Sequence, residues 1–140
     1  GINRKPFKLV KFRTMAINTE SMASHLTTTS SITKLGFFLR KTKIDELPQL
    51  INVLKGDMSI VGPRPNLFNQ KDLIEKREAY GVYDVLPGIT GLAQVQNIDM
   101  STPELLAMTD RKMIDTLTLK YYFKYIFMTA TGSGAGDAVK

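Results

Sequence analysis

The chain contains no cysteine, which excludes a disulfide framework and a thiolate metal site and leaves the protein compatible with a reducing compartment. It also lacks any run approaching the roughly 18–20 uninterrupted apolar residues that crossing a bilayer requires, so no transmembrane helix is expected within it. Histidine occurs once, as His25, in a Ser/Thr-rich stretch from Asn18 to Thr33 that shows no sustained period. That stretch reads as a loop, and His25 as a surface loop residue. Acidic residues are outnumbered: 13 Asp and Glu face 19 Lys and Arg, for a net charge of +6 and a pI near 9.6. A surplus of that sign favours an anionic partner, whether nucleic acid, an anionic membrane surface or a phosphorylated substrate. The opening Gly1-Ile2-Asn3-Arg4-Lys5-Pro6-Phe7 has neither the charged head and apolar run of a signal peptide nor an initiator methionine, and a preceding segment is expected.

What is present suffices for a core. The chain has 140 residues, 43% of them hydrophobic, and is expected to form one domain over 1–140. Phe7 to Arg13 alternates Phe7, Leu9 and, less strictly, Phe12 with Lys8, Lys11 and Arg13, the pattern of a short half-buried strand presenting cations on one face. Ile32 to Lys41 places Ile32, Leu35, Phe38 and Leu39 on one helical face. Asp45 then stands where an N-cap would, Glu46 follows in the first turn, and Leu47, Leu50, Ile51 and Leu54 recur at helical spacing before Gly56. Pro48 is tolerated in a first turn, where its missing N–H is not needed.

Gly62-Pro63-Arg64-Pro65 predicts a rigid extended turn around one arginine. Leu67 to Tyr80 is helical in pattern, and Leu86 to Val95 reads as a turn leading into a short strand or buried loop. Thr102-Pro103 resembles an N-cap with proline at N1, opening a helix past Leu106 and Met113. A last helix is expected over about Ile114 to Met128, with its aromatics and lysines set either against a membrane surface or against the core. The tail Gly132-Ser133-Gly134-Ala135-Gly136 lacks the strand, Lys-Ser/Thr ending and helix of a phosphate loop.

The residues able to do chemistry gather around Asp45 and Glu46. Carboxylates in the first turn of a helix are held ionised by free N–H groups and the helix dipole, so they can serve as nucleophile, metal ligand or simple cap. For a carboxylate to attack a diphosphate two anions must meet, and bound cations have to offset the repulsion. Lys11, Arg13, Arg40, Lys43 and Arg64 are available for this. A divalent metal on Asp45 or Glu46 would neutralise more charge, and Mg²⁺ suits the task because it keeps most of its waters while bridging phosphate oxygens.

Lys11-Phe12-Arg13-Thr14-Met15, Leu35-Gly36, Leu39-Arg40-Lys41-Thr42, Ile44-Asp45-Glu46-Leu47-Pro48-Gln49-Leu50, Asn52-Val53-Leu54-Lys55-Gly56-Asp57-Met58-Ser59, Val61-Gly62-Pro63-Arg64-Pro65 and Pro87-Gly88-Ile89-Thr90-Gly91 closely resemble, in order and spacing, the bacterial sugar transferase family. These are the monotopic polyprenol-phosphate phosphoglycosyl transferases of capsule, O-antigen, exopolysaccharide and glycoprotein pathways. The resemblance covers about Gly1 to Val95. It implies a two-step exchange in which Asp45 attacks the sugar-bearing phosphate of a UDP-sugar, UMP leaves, and polyprenol phosphate such as undecaprenyl phosphate takes the phosphosugar from the aspartate. On the same resemblance Glu46 supports the metal or the proton balance, Mg²⁺ is the cofactor at Asp45 and Glu46, and Lys11, Arg13, Arg40 and Arg64 grip phosphate. The implied location is the cytoplasmic face of the bacterial inner membrane.

The chain departs from the family in places. Arg is frequent where Ser31 and Phe37 stand here, and an Asn-Gly-Arg segment commonly follows the Pro-Gly-Ile-Thr-Gly block, where this chain reads Gln96-Asn97-Ile98-Asp99. A phosphate-binding arginine is thereby missing from that loop. Family members also begin with an apolar re-entrant helix that has no counterpart here. Two other readings stand beside the transferase: a basic nucleic-acid-binding module, and a non-catalytic remnant. Nucleic acid is set aside as partner because the cations cluster around a carboxylate pair and a Gly-Pro-Arg-Pro turn, without a recognition helix or interleaved stacking aromatics. The expected fold class is α+β, one compact and mainly helical domain with a small sheet, lacking the strand-helix alternation of a doubly wound fold.

Overall fold

The computed structural model describes residues 1–16 and 32–132; His25, Ser31 and most of the glycine tail lie outside them. The fold is α+β and mainly helical, as expected. A 3₁₀ turn over Ile2–Arg4 opens the chain. Helix α1 (Lys34–Lys41), a 3₁₀ helix (Ile44–Gln49) and α2 (Leu50–Leu54) follow, then strand β1 (Ser59–Val61), α3 (Lys71–Ala79), a 3₁₀ turn (Val82–Asp84), β2 (Gly88–Thr90), α4 (Leu92–Val95), α5 (Pro103–Thr116) and α6 (Leu119–Ala130).

The two strands pair in parallel, Ser59 opposite Gly88 and Val61 opposite Thr90. Parallel neighbours need a crossover, and here it contains α3. The pairing continues past the strand ends, since the Gly62 amide donates to the Thr90 carbonyl and the Gly88 amide to the Pro63 carbonyl, both at 2.8 Å. Glycine is required at this crossing. A Cβ on Gly88 would stand 2.0 Å from the Gly62 nitrogen, and one on Gly62 would stand 2.5 Å from the Leu86 carbonyl oxygen. The Gly-Pro-Arg-Pro turn and the Pro-Gly-Ile-Thr-Gly block, 22 residues apart at their prolines Pro65 and Pro87, are therefore one structural unit.

The core lies against this small sheet. Val61, Val95, Met113 and Tyr125 are buried together, with Ile60, Leu92, Tyr122, Ile126 and Met128 packed around them. A second cluster joins Leu73 of α3 to Ala93 and Leu106. Each such large side chain contributes on the order of 1.5–3 kcal/mol through its burial. Thr102 flanks α5 and Pro103 sits at its start, as the sequence predicts. Gly56 takes a left-handed φ of 79° just after α2, in keeping with its role as a stop.

Several expectations require correction. Phe7 to Arg13 is not a strand: the segment runs without a β-ladder, and its polar backbone is met by other groups. The Val10 amide donates to the Asn52 side-chain oxygen at 3.0 Å, the Asn52 amide nitrogen donates to the Lys8 carbonyl at 2.8 Å, and the Phe12 amide donates to the Asp45 carbonyl at 3.1 Å. The final helix does not begin at Ile114, which belongs to α5; the chain leaves the helix at Leu117, and Thr118 caps a new one by accepting from the Tyr121 amide. In α6 Tyr125 is buried, whereas Leu119, Phe123 and Phe127 are exposed, so one side of the helix packs on the core and the other faces outward.

The largest correction concerns the segment after α1. Leu47, Leu50, Ile51 and Leu54 do share a face, but it points outward, with Leu54 88% exposed. The polar residues at the complementary positions, Asp45, Glu46, Gln49 and Asn52, are buried instead. Periodicity says that two faces differ without saying which is inside. Here the inner face is polar because it meets the backbone of residues 8–12 and the side chains of Lys11 and Arg64.

Candidate active site

The site is built on the 3₁₀ helix. Asp45 is not an N-cap; that position belongs to Lys43, whose left-handed φ of 58° turns the chain from the end of α1 into the new helix. The Lys43 amide still donates to Arg40, and the Lys43 carbonyl accepts from the Glu46 amide at 3.2 Å. This places Asp45 and Glu46 inside the first turn, both buried. Pro48 lies within the same 3₁₀ helix, not in the first turn of an α-helix. In 3₁₀ geometry the N–H of residue 48 would bond the carbonyl of residue 45, and proline has none. The Asp45 carbonyl accepts from Phe12 instead, which ties the segment carrying Lys11 to the helix carrying the carboxylates.

Glu46 is where the cations converge. Its Oε1 accepts from Arg64 Nη2 at 2.6 Å and from Lys11 Nζ at 3.4 Å, with the Glu46 side chain only 9% exposed. The first contact has the length of a strong charge-assisted hydrogen bond; the second is a looser ion pair. Lys43 lies close enough to feel both partners: burial lowers its pKa first, Glu46 opposes that, and Arg64 adds to the lowering. Arg40 donates from Nε to the hydroxyl of buried Thr14 at 2.9 Å. Arg13 is exposed. Of the four cations predicted to grip phosphate, the structure therefore joins Lys11 and Arg64 to Glu46, holds Arg40 on the adjoining Thr14, and leaves Arg13 at the surface.

Two adjacent carboxylates offer hard oxygen donors, and Mg²⁺ is commonly held by one or two carboxylates with waters and substrate phosphate completing its shell. Asp45 and Glu46, both buried in the first turn of the 3₁₀ helix, are the candidate donors of that kind. They do not form an all-protein cage, and no group of three or more His, Cys, Asp or Glu suited to a metal occurs among the described residues.

Sequence reasoning missed two supporting residues. Asn52 is 1% exposed and tethers residues 8–10 through both ends of its amide. Its signal was the polar spacing of Asp45, Glu46, Gln49 and Asn52, which complements the leucine spacing on the other face. Arg77 of α3 is equally buried and donates to the Arg64 carbonyl, a contact between distant segments with no local signature.

A family model described as bacterial sugar transferase matches residues 1–134. The chain is 50% identical over 95 residues to the uncharacterized sugar transferase EpsL of Bacillus subtilis, covering 68% of this chain and 46% of that protein. It is 40% identical over 119 residues to the UDP-glucose:undecaprenyl-phosphate glucose-1-phosphate transferase of Caulobacter vibrioides, covering 82% of this chain and 45% of that protein. With the enzyme of the same name from Escherichia coli the identity is 38% over 138 residues, 92% of this chain and 30% of the other. The chain thus spans less than half the length of each of these relatives.

Proposed function

The chain belongs to the bacterial sugar transferase family, and from that premise we propose that it is the catalytic core of an enzyme that moves a sugar 1-phosphate from a UDP-sugar to undecaprenyl phosphate. The observation that carries this reading is the buried Asp45-Glu46 pair with Arg64 and Lys11 drawn onto Glu46. Relatives named as undecaprenyl-phosphate glucose-1-phosphate transferases support the choice of acceptor and of a nucleotide-sugar donor.

In the first step an Asp45 carboxylate oxygen attacks the sugar-bearing phosphorus. The bond from that phosphorus to the bridging oxygen breaks, and UMP leaves with the electron pair. In the second step a phosphate oxygen of undecaprenyl phosphate attacks the same phosphorus, and Asp45 leaves as a free carboxylate. A carboxylate is a weak nucleophile beside a diphosphate because like charges repel, and Arg64, Lys11 and Lys43 lower that barrier electrostatically. Glu46 fixes Arg64 and Lys11 next to the reacting group so that they need no reorganisation. Mg²⁺, held by Asp45 and Glu46, would supply further charge neutralisation on the diphosphate.

The acceptor is a lipid, and the outward apolar residues give the site a means of meeting it. Leu35, Phe37 and Phe38 of α1 are exposed together with Leu47, Leu50, Ile51 and Leu54 beyond it, within a segment that also carries Lys34, Lys41, Lys43 and Lys55. Apolar side chains beside cations are the composition of a surface that rests in the headgroup region of an anionic bilayer. This surface supports setting the reaction at a membrane, and in our reading that is the cytoplasmic face of the inner membrane. No helix among the described residues is long and apolar enough to cross a membrane.

The test is UMP release from UDP-sugars in the presence of Mg²⁺ and undecaprenyl phosphate. Asp45→Asn should abolish it while preserving the fold, because the asparagine keeps the backbone carbonyl that holds Phe12 but is a far poorer nucleophile. Turnover near wild type in that variant would remove the covalent mechanism.

A further inference from the structure

Arg77 belongs to α3, outside the elements that carry the carboxylates, and is 1% exposed. Its Nε and Nη2 both donate to Asp110 Oδ2 on α5, at 3.0 and 2.7 Å. Burial pushes the Asp110 carboxyl up, and Arg77 pulls it back down. Burying two charges costs several kcal/mol per ion before their attraction is counted, and apolar residues at such places are often as stable or more so. Asp110 Oδ2 takes up only two of the five N–H donors of the guanidinium.

Arg77 does more than that. Its Nη1 turns from Asp110 and donates to the Arg64 carbonyl at 2.7 Å and to the Asn66 side-chain oxygen at 3.1 Å. That same Asn66 oxygen accepts from the Tyr83 hydroxyl at 3.1 Å. On the other side of Arg64, the Pro63 carbonyl accepts from the Gly88 amide at 2.8 Å. Both peptide planes flanking the Arg64 Cα are thus anchored, and the two prolines fix the backbone rotation on either side of it. The direction of the Arg64 Cα–Cβ bond follows, and the side chain that starts from it ends 2.6 Å from Glu46 Oε1.

We propose that Arg77, held in place by Asp110, is a positioning residue that sets the Arg64 backbone and through it the contact of Arg64 with Glu46. The catalytic consequence rests on the reading of Asp45 and Glu46 as the reacting pair; the geometric one does not. Lysine cannot replace arginine here, because one ammonium on a flexible stem cannot hold a carboxylate and a backbone carbonyl in fixed directions as a planar fork does.

Two variants test this. Arg77→Lys retains the charge opposite Asp110, and the double substitution Arg77→Met with Asp110→Leu replaces the pair with apolar side chains of similar size, an exchange that commonly keeps the fold. The first readout is the ¹⁵N spectrum of the Arg64 guanidinium, assigned through its loss in Arg64→Lys. In the wild-type chain its nitrogens should show restrained rotation, and in both variants that restraint should vanish. The second readout is UMP release: kcat should fall about 10- to 100-fold, the scale expected when a group is misplaced by about 1 Å, with KM for the UDP-sugar nearly unchanged. In an Arg64→Ala background the same variants should cause no further loss. An unchanged Arg64 spectrum, or equal losses with and without Arg64, would overturn the inference. A wild-type chain that releases no UMP would instead count against the proposed reaction, while the Arg64 spectrum would still decide the positioning role.

Discussion

Exchanging Glu46 for glutamine removes one negative charge and almost no volume from a site where two cations have been drawn in around it. Arg64 and Lys11 have side chains 19% and 26% exposed, so water screens them only in part. The glutamine oxygen can still accept from Arg64, and what disappears is the charged share of that bond. Hydrogen bonds to charged groups contribute about 1.5–3 kcal/mol and neutral ones about 0.5–1.5, a difference near 1 kcal/mol. Arg64, Lys11 and neighbouring Lys43 also lose one shared negative charge, a further cost limited by their exposure and their other contacts, for a total of about 2 kcal/mol. In a chain of this size that corresponds to a fall in Tm of roughly 6–8 °C. The assay is thermal unfolding followed by circular dichroism, with urea titration to confirm an unchanged m-value. Glu46→Gln combined with Arg64→Met should be less destabilised than the sum of the single variants by about 1 kcal/mol, because both changes weaken the same Arg64–Glu46 contact. A Tm within about 1 °C of wild type for Glu46→Gln, or strict additivity in the double variant, would refute the claim that this ion cluster is energetically coupled.

Removing divalent metal with excess chelator should stop UMP release, and Mg²⁺ should restore it; undiminished turnover in chelator would show that the carboxylate pair works without metal. Gly88→Ala should destabilise the chain by about 3 kcal/mol or more, since its Cβ would stand 2.0 Å from the Gly62 nitrogen and only backbone could yield; an unaltered urea midpoint would contradict the crossing described for the two strands. Replacing Leu50, Ile51 and Leu54, which are 45%, 47% and 88% exposed, with serine should weaken co-sedimentation with anionic vesicles and cost stability only through the buried part of Leu50 and Ile51, about 1–3 kcal/mol together. Equal vesicle binding by that variant across a salt series would exclude this face as the membrane contact.

Much of the local structure could be read in advance because it depends on residues near one another in the chain. Thr102-Pro103 opens a helix, Gly56 ends one, and the helical patterns of residues 34–41 and 71–79 require no distant partner to be recognised. The candidate carboxylate pair drew notice in the sequence for a different reason: Asp45, Glu46 and the Gly-Pro-Arg-Pro turn stand out by chemical type and by the resemblance of whole blocks to a family. Tertiary structure decided the rest. Residues 7–13 alternate like a strand, yet among the described residues no sheet edge pairs with them, and Asn52 and Asp45 meet their backbone instead. The leucines after Pro48 mark one face as different, but whether that face or the polar one turns inward depends on Lys11 and Arg64 arriving from elsewhere to compensate buried carboxylates. The clamp of Arg77 on the Arg64 carbonyl joins residues 13 apart, and its anchor on Asp110 lies a further 33 away. Propensity and periodicity act over a few residues, whereas the compensation of a buried charge is settled only when the folded chain brings its partner into reach.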